Sequence, residues 1–424
     1  MTRNNQEQPN DSKGQTPDRV QVGLLGQLIQ TIGDTWREKS GQGASTPDKE
    51  LEALLNALRE SRFRFSPMYR SWIPKPNKPG EVRPITQPAT RDRIVMDSIS
   101  YLLNQTYGDI FLATSHGFRK GRGPITFFSE FHKWGPLDRL IKSDVVKCFD
   151  NIDHELLISF LASDLGPENL PLCDLINGFL KTEIKDKQGN DYSNKEKGIP
   201  QGSSLSPVLM NVFLHRIDKD ISKLMEVEGN LRYIRYADDM IFGFTRGTDS
   251  EGTYRRFRGE FLKSLESLNL KEASIELLRG YPQKTRVLGL VVFLGSTGAP
   301  ETRAPFLRWK KKLTLGYIKS KIPPRKRVTQ FSFIRTLTQL IKTRIAFCFC
   351  CSHLYGEQEL IEYFTHLLKQ RMKEFHKGKS YDLHKERQVS FLAEKIPFFV
   401  NYYKRRMQQK ARSRPVQKVS KKQH

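Results

Sequence analysis

No run of eighteen or more apolar residues occurs in the 424-residue chain, which excludes a membrane-spanning helix read from sequence. Residues 1–19, MTRNNQEQPNDSKGQTPDR, lack the apolar core of a secretory signal and the acid-poor character of a transit peptide. The expectation is an intracellular protein that works in the compartment where it is made, or that has an import route not marked in this stretch. Cysteine is scarce and odd in number: Cys148, Cys173, Cys348, Cys350 and Cys351. An odd count argues against a disulfide framework and for reduced thiols. Acidic residues are also in short supply, 46 Asp+Glu against 71 Lys+Arg, for a net charge of +25. That excess points to a polyanionic partner, nucleic acid ahead of an anionic membrane, because no amphipathic membrane helix stands out. No membrane partner is expected.

What is present fits a polar-surfaced protein with enough apolar material to fold: 37% hydrophobic residues and a mean hydropathy of −0.56. The length exceeds one ordinary core. Residues 1–20 are polar and rich in Pro, Asn and Gln, as in a disordered extension. Apolar spacing predicts a helix over 21–38, a linker over 39–46, and a second helix opening at Thr46-Pro47-Asp48 and running through ELEALLNALRES. YRSWIPKPNKPGEVRPIT at 69–86 predicts a hairpin with a Pro/Asn/Gly turn. Next come a helix in RDRIVMDSISYLLNQTY, a buried strand over 139–146, and a helix HELLISFLAS capped by Asp153. A long helix over 206–226, strands over 231–236 and 240–244, a helix over 254–268 and a strand pair ending at VLGLVVFLG follow. Beyond residue 305 the basic run WKKKLTLGYIKSKIPPRKRV precedes three expected helices near 330–350, 356–376 and 384–400. The final KRRMQQKARSRPVQKVSKKQH has nine Lys/Arg and no acid, an expected arm for a polyanion.

The stretch 235-RYADDMIFGF-244 sets Asp238 and Asp239 side by side between apolar runs. A two-residue turn there places both carboxylates at a hairpin tip, where like charges repel unless a cation lies between them. Asp is common in turns, so an isolated pair reads equally well as a β-turn. Asp144 changes the weighting, because it ends another short apolar strand able to pair with the first. Three carboxylates on adjacent strands are hard oxygen donors for two Mg²⁺ ions, with Mn²⁺ as an alternative. That is the donor set of two-metal nucleotidyl transfer. The segment 198-GIPQGSSLSPVLMNVFL-214 adds a Gly/Ser-rich turn before a long helix. In it, Gly202 permits close backbone approach and Gln201 can donate and accept. Lys75 and Arg83 put two cations near the tip of the first hairpin, suited to a triphosphate and equally to a solvated basic hairpin. The cluster Cys348, Cys350, Cys351, His353 is spaced too tightly for the usual zinc knuckle and reads as buried thiols on a helix. His116 and His154 read as packing and helix-start residues rather than bases.

The order IPKP…VRPI, SHGFRKGRG, SDVVKCFDNIDH, IPQGSSLSP, RYADD, VLGL resembles the reverse transcriptases, most closely the group II intron-encoded kind, over residues 45–400. The resemblance implies an α+β, right-hand polymerase. Its fingers and palm, an antiparallel sheet plus helices, would occupy 46–304. A helical thumb, called domain X in maturases, would occupy 305–402, between an N-terminal extension at 1–45 and a basic tail at 403–424. It implies a metal-binding catalytic triad of Asp144, Asp238 and Asp239, with Asp239 the least direct ligand. Phe149 would block a 2′ hydroxyl, Gln201 and Gly202 would lie against nucleotide and templating base, and Lys75 and Arg83 would hold the triphosphate. Tyr236 would touch the primer end, and Arg119 belongs to a block typical of intron reverse transcriptases, assigned here to primer and template. Implied partners are an RNA template, a DNA or RNA primer, dNTPs, and a group II intron RNA or another structured noncoding RNA.

The chain departs from the family in LNLKEASIELLRGYPQKTRVLGL, where an Asn and a Lys are usual and Ala273 and Glu276 stand instead. Arg279 or Lys284 are the candidate substitutes. No zinc-nuclease cassette follows the thumb region, so target cleavage is not expected. Two rival readings remain at this level: a stand-alone bacterial reverse transcriptase copying a dedicated noncoding RNA, and a non-catalytic RNA-binding maturase. The intact Asp144, Asp238 and Asp239 weigh against the second.

Overall fold

The computed structural model describes residues 23–40, 49–74, 81–246, 250–280, 283–288, 290–304, 318–319, 321, 330–349, 357–376 and 393–405. The N-terminal extension to residue 20, the hairpin tip with Lys75, most of the basic run after 305, Cys350, Cys351, His353 and the tail from 406 lie outside them. The chain divides into two compact units, each built from separate stretches of sequence. The first comprises 1–111, 147–216 and 267–270; the second comprises 112–146, 217–266 and 271–424.

In the first unit, α1 (Leu24–Ser40) and α2 (Lys49–Arg59) are amphipathic, burying Leu28 and Ile32, and Leu51, Leu54 and Leu58. Helix α1 thus runs through the first residues of the expected linker. Strands β1 (Met68–Pro74) and β2 (Val82–Gln87) form the expected hairpin, Ile73 opposite Arg83, and β4 (Ile184–Lys185) joins β1 in parallel. The long α3 (Thr90–Ile110) buries Met96, Ile99 and Leu103. The short α5 (Cys148–Asn151) leads to α6 (His154–Leu165), whose cap is as expected: Asp153 Oδ1 accepts from the Leu156 N–H at 3.0 Å. Helix α7 (Leu170–Leu180), not expected from sequence, opens with Pro171 in its first turn, where a missing N–H is harmless. The N-terminal part of α8 (Ser206–Glu228) completes this unit.

The second unit is built on a four-stranded sheet in the order β5-β6-β3-β7. Its strands are β3 (Leu137–Val145), β5 (Leu231–Tyr236), β6 (Asp239–Thr245) and β7 (Glu272–Leu278), all antiparallel to their neighbours. β3 is central, with Leu140 and Ile141 fully buried, because both sheet faces are covered. On one face α9 (Ser250–Ser267) packs Phe257, tilted, and Phe261, edge-on, against Phe242, with ring centroids 4.4 and 5.1 Å away. A single hydrophobic cluster joins Leu140, Ile234 and Ile241 to α4 (Pro124–Phe131) and to two later helices, α10 (Gln330–Cys348) and α11 (Glu357–His376). A second antiparallel sheet, β10-β9-β8, is made of β8 (Lys284–Val287), β9 (Leu290–Leu294) and β10 (Pro300–Arg303). The third helix beyond 305 is described over 393–405, so the first residues of the expected arm are helical. Cys348 is buried on α10, as a core thiol should be. The fold is α+β, and among the described residues no helix is long and apolar enough to cross a membrane.

Candidate active site

Sheet register gathers the three aspartates. Ser143 on β3 lies opposite Met240 on β6, so Asp144 stands one step beyond, beside Asp239. Tyr236 and Asp239 pair across the β5–β6 hairpin, which leaves Ala237-Asp238 as its two-residue turn. The sequence expectation of both carboxylates at the tip is therefore corrected. Asp238 is on the turn, while Asp239 is the first residue of a strand, because cross-strand pairing continues one residue further. Asp144 Oδ1 accepts from the Val145 N–H at 2.9 Å.

Burial pushes the Asp239 carboxyl up from 3.8 to about 6, and the charges of Asp238 and Asp144 add to the rise. Lys142 opposes it: its Nζ lies 3.6 Å from Asp239 Oδ1 and 3.5 Å from Glu276 Oε1. Among the described residues no three His, Cys, Asp or Glu side chains converge into a ready-made cage. The donor chemistry nonetheless fits a hard divalent cation. Asp144 and Asp239 lie on the paired strands β3 and β6 and Asp238 on the turn between β5 and β6, and the repulsion of the other two is felt at Asp239.

Glu276 is the residue expected from sequence to stand in place of a lysine, and the structure shows what lies near it. Lys142 and Glu276 are direct cross-strand partners on β3 and β7, and Thr285 Oγ1 donates to Glu276 Oε2 at 2.6 Å. A cation therefore reaches Asp239 from β3, two residues before Asp144. Neither expected substitute shows such a contact. Arg279 is exposed, with its backbone N–H donating to Gln283 Oε1, and Lys284 sits exposed on the second sheet. Sequence reasoning missed Lys142 because strand register alone brings it to Glu276.

In the same unit, Tyr236 is half-buried against Phe127, ring centroids 6.1 Å apart. Arg119 Nη1 donates to the carbonyls of Leu112 and Ser115 at 2.7 and 2.9 Å, closing the SHGF loop on itself. His116 is buried, pushed down to about 3 by desolvation and by the nearby Arg122, Arg119 and Arg235, so it is a neutral packing residue at ordinary pH. His154, in the first unit, lies against the carbonyls of Lys195 and Gly198.

The first unit gathers the other candidates. Phe149 is half-buried in α5, and its carbonyl accepts from the Ile199 N–H at 2.7 Å. Gln201 Nε2 donates to Asp150 Oδ1 at 3.3 Å, and its carbonyl accepts from the Thr86 N–H of β2. Gly202 has φ +112, and a Cβ there would lie 2.7 Å from the Thr86 carbonyl oxygen; the turn needs glycine twice over. Arg83 is exposed on β2, and Lys75 is outside the described residues. Arg70, which sequence reasoning did not single out, lies on β1 opposite Thr86 with its guanidinium 5.2 Å from the Tyr192 ring centre. Burial lowers its pKa, and the nearby Asp150 opposes that.

Comparison with known proteins gives the family. Residues 73–292, just over half of the chain, match the family described as "Reverse transcriptase (RNA-dependent DNA polymerase)". The putative COX1/OXI3 intron 2 protein of Saccharomyces cerevisiae is 34% identical over 186 residues, 42% of this chain and 21% of that protein. The group II intron-encoded protein LtrA of Lactococcus lactis is 29% identical over 197 residues, 44% and 32% of the two chains. The retron Mx162 reverse transcriptase of Myxococcus xanthus is 28% identical over 296 residues, 63% and 58%. The matches thus span a fifth to a third of the two intron-encoded relatives. With a family match over just over half of its length, the chain belongs to the reverse transcriptase family.

Proposed function

We propose that the protein is an RNA-directed DNA polymerase of the group II intron type. It extends a DNA or RNA primer along an RNA template with dNTPs. It also binds a group II intron RNA, or another structured noncoding RNA, to assist splicing and mobility. The observation that carries this reading is the placement of Asp144, Asp238 and Asp239 on β3, β6 and the turn between β5 and β6. Two Mg²⁺ ions, with Mn²⁺ as an alternative, would supply charge neutralisation at the attacking and leaving oxygens of in-line displacement.

The three aspartates hold those ions. Lys142 balances the negative charge that they concentrate and keeps Asp239 ionised more readily than burial alone allows. Phe149 presents an aromatic ring where a ribose 2′ oxygen would clash. Gln201 and the Gly202 backbone lie against nucleotide and templating base, and Lys75 and Arg83 grip the triphosphate. Tyr236 meets the primer end. Arg119 acts on primer and template through the loop that it closes. Residues 46–304 serve as fingers and palm, 305–402 as thumb or domain X, and the basic tail as an electrostatic arm.

The test is extension of a primer annealed to an RNA template by the full chain with Mg²⁺ and dNTPs. Wild type should extend it. Asp238→Ala should abolish extension while leaving melting and RNA binding near wild type, since a turn carboxylate contributes little packing. Normal extension by the variant, or none by wild type, would overturn the reading.

A further inference from the structure

The Ala237-Asp238 turn has a backbone that needs outside support. Ala237 has φ 56, a left-handed conformation that residues with a Cβ seldom adopt. The support comes from behind. Arg235 Nη1 donates to the Ala237 carbonyl at 2.8 Å. The same guanidinium is gripped by Asp218 of α8, Nε to Oδ1 at 2.8 Å and Nη2 to Oδ2 at 2.6 Å. Its Nη2 also donates to Ser115 Oγ at 3.1 Å, and the Tyr233 hydroxyl donates to Asp218 Oδ1 at 2.7 Å. Arg235 and Asp218 are both fully buried.

A second element braces the turn from its edge. Residues Thr114 to Gly117 run parallel to β5: the Arg235 N–H donates to the Thr114 carbonyl at 2.8 Å and the His116 N–H to the Arg235 carbonyl at 2.9 Å. A Cβ at Gly117 would lie 2.3 Å from the Ala237 nitrogen. Only glycine lets that strand come so close.

A buried ion pair is seldom a better stabiliser than apolar side chains of the same size. Its use here is geometric. Only a guanidinium can clamp a carboxylate with two N–H groups and still offer a third to a carbonyl at a fixed angle. We infer that Arg235, oriented by Asp218, is a positioning residue: together with the Gly117 approach it sets the Ala237-Asp238 turn and thereby aims Asp238 and Asp239. It touches neither substrate nor metal and acts through the backbone. This inference rests on the polymerase reading given above.

The test uses Arg235→Lys and Gly117→Ala in the full chain. Lysine keeps the charge beside Asp218 and loses the fork; alanine keeps every buried charge paired and pushes on the turn. For each, kcat, KM for dNTP, the Mg²⁺ concentration at half-maximal rate, the dissociation constant for primer–template and the melting curve are measured beside wild type. A displacement of the carboxylates by about 1 Å is expected to lower kcat by about 100-fold. It should also raise the Mg²⁺ requirement, and Arg235→Lys, which lies outside the SHGF loop, should leave primer–template affinity unchanged. A merely structural role would move melting and leave the Mg²⁺ requirement of the folded fraction alone. If Arg235→Lys does not fold, Gly117→Ala decides. A folded variant with wild-type kcat and Mg²⁺ dependence overturns the inference. A wild type that extends no primer overturns the polymerase reading instead.

Discussion

Replacing Asp239 with Asn should inactivate the protein and stabilise it at the same time, provided divalent cations are withheld. The carboxyl titrates near 6 in the folded chain, pushed there chiefly by burial, against an ordinary value of 3.8. The folded state therefore holds its proton more tightly than the unfolded state. Wild type loses that stability as pH rises from about 4 through 6, and regains it on acidification. At about 1.4 kcal/mol for each tenfold, the ceiling at neutral pH is about 3 kcal/mol. Water reaches a side chain that is 31% exposed, so screening reduces this to about 1–2 kcal/mol. For a folding unit of 150–250 residues that is a rise of roughly 2–4 °C per kcal/mol. Melting in EDTA should show Asp239→Asn above wild type at pH 7.5, with the gap closing by about pH 4. Added Mg²⁺ should raise the midpoint of wild type more than that of the variant, because a cation that binds only the folded state stabilises in proportion to its affinity and the variant keeps two of the three carboxylates. A variant that melts at or below wild type at pH 7.5, or a gap that persists in acid, would refute the reasoning.

Three further outcomes are expected. Phe149→Ala or Phe149→Val should raise insertion of ribonucleotides relative to deoxynucleotides in single-nucleotide assays; an unchanged ratio in an active variant removes Phe149 from sugar selection. Gly202→Ala should lower the melting midpoint and slow extension, because both φ +112 and the Thr86 carbonyl oppose a methyl group; equal melting and rate would show that the turn relaxes freely. Deleting 406–424, with seven Lys/Arg, should weaken cognate and random RNA by similar factors in filter binding. The log–log salt slope should become shallower, at about 0.7 per lost single-strand contact, whereas an effect on one RNA alone would make the tail a specificity element.

The aspartates were legible because each borders a short apolar strand, and strand pairing is the simplest way to unite them. The sharing of the hairpin between turn and strand was not, since the choice between Asp238 and Asp239 is made by cross-strand hydrogen bonds. Helix α4 was missed because PITFFSEF is only eight residues long, and an apolar run so short does not separate helix from strand by its period. β10, PETR, carries a proline and two charges and owes its strand to pairing with β9. Lys142, Arg70 and the Arg235–Asp218 pair share one reason for escaping notice: each acts through partners far away in sequence, which a single chain read in order does not display.

The central place of β3 has a consequence for how the chain is made. Both of its neighbours come later: β6 ends at Thr245 and β7 at Leu278. A ribosome adding 5–20 residues per second needs roughly 5–20 s to travel the hundred or so residues from Val145 to Thr245. During that interval Leu140 and Ile141 sit on a strand with both hydrogen-bonding edges open, which is the form most prone to pair with another chain. Yield during synthesis should therefore depend on holding chaperones and on temperature more than the finished protein's melting point would indicate.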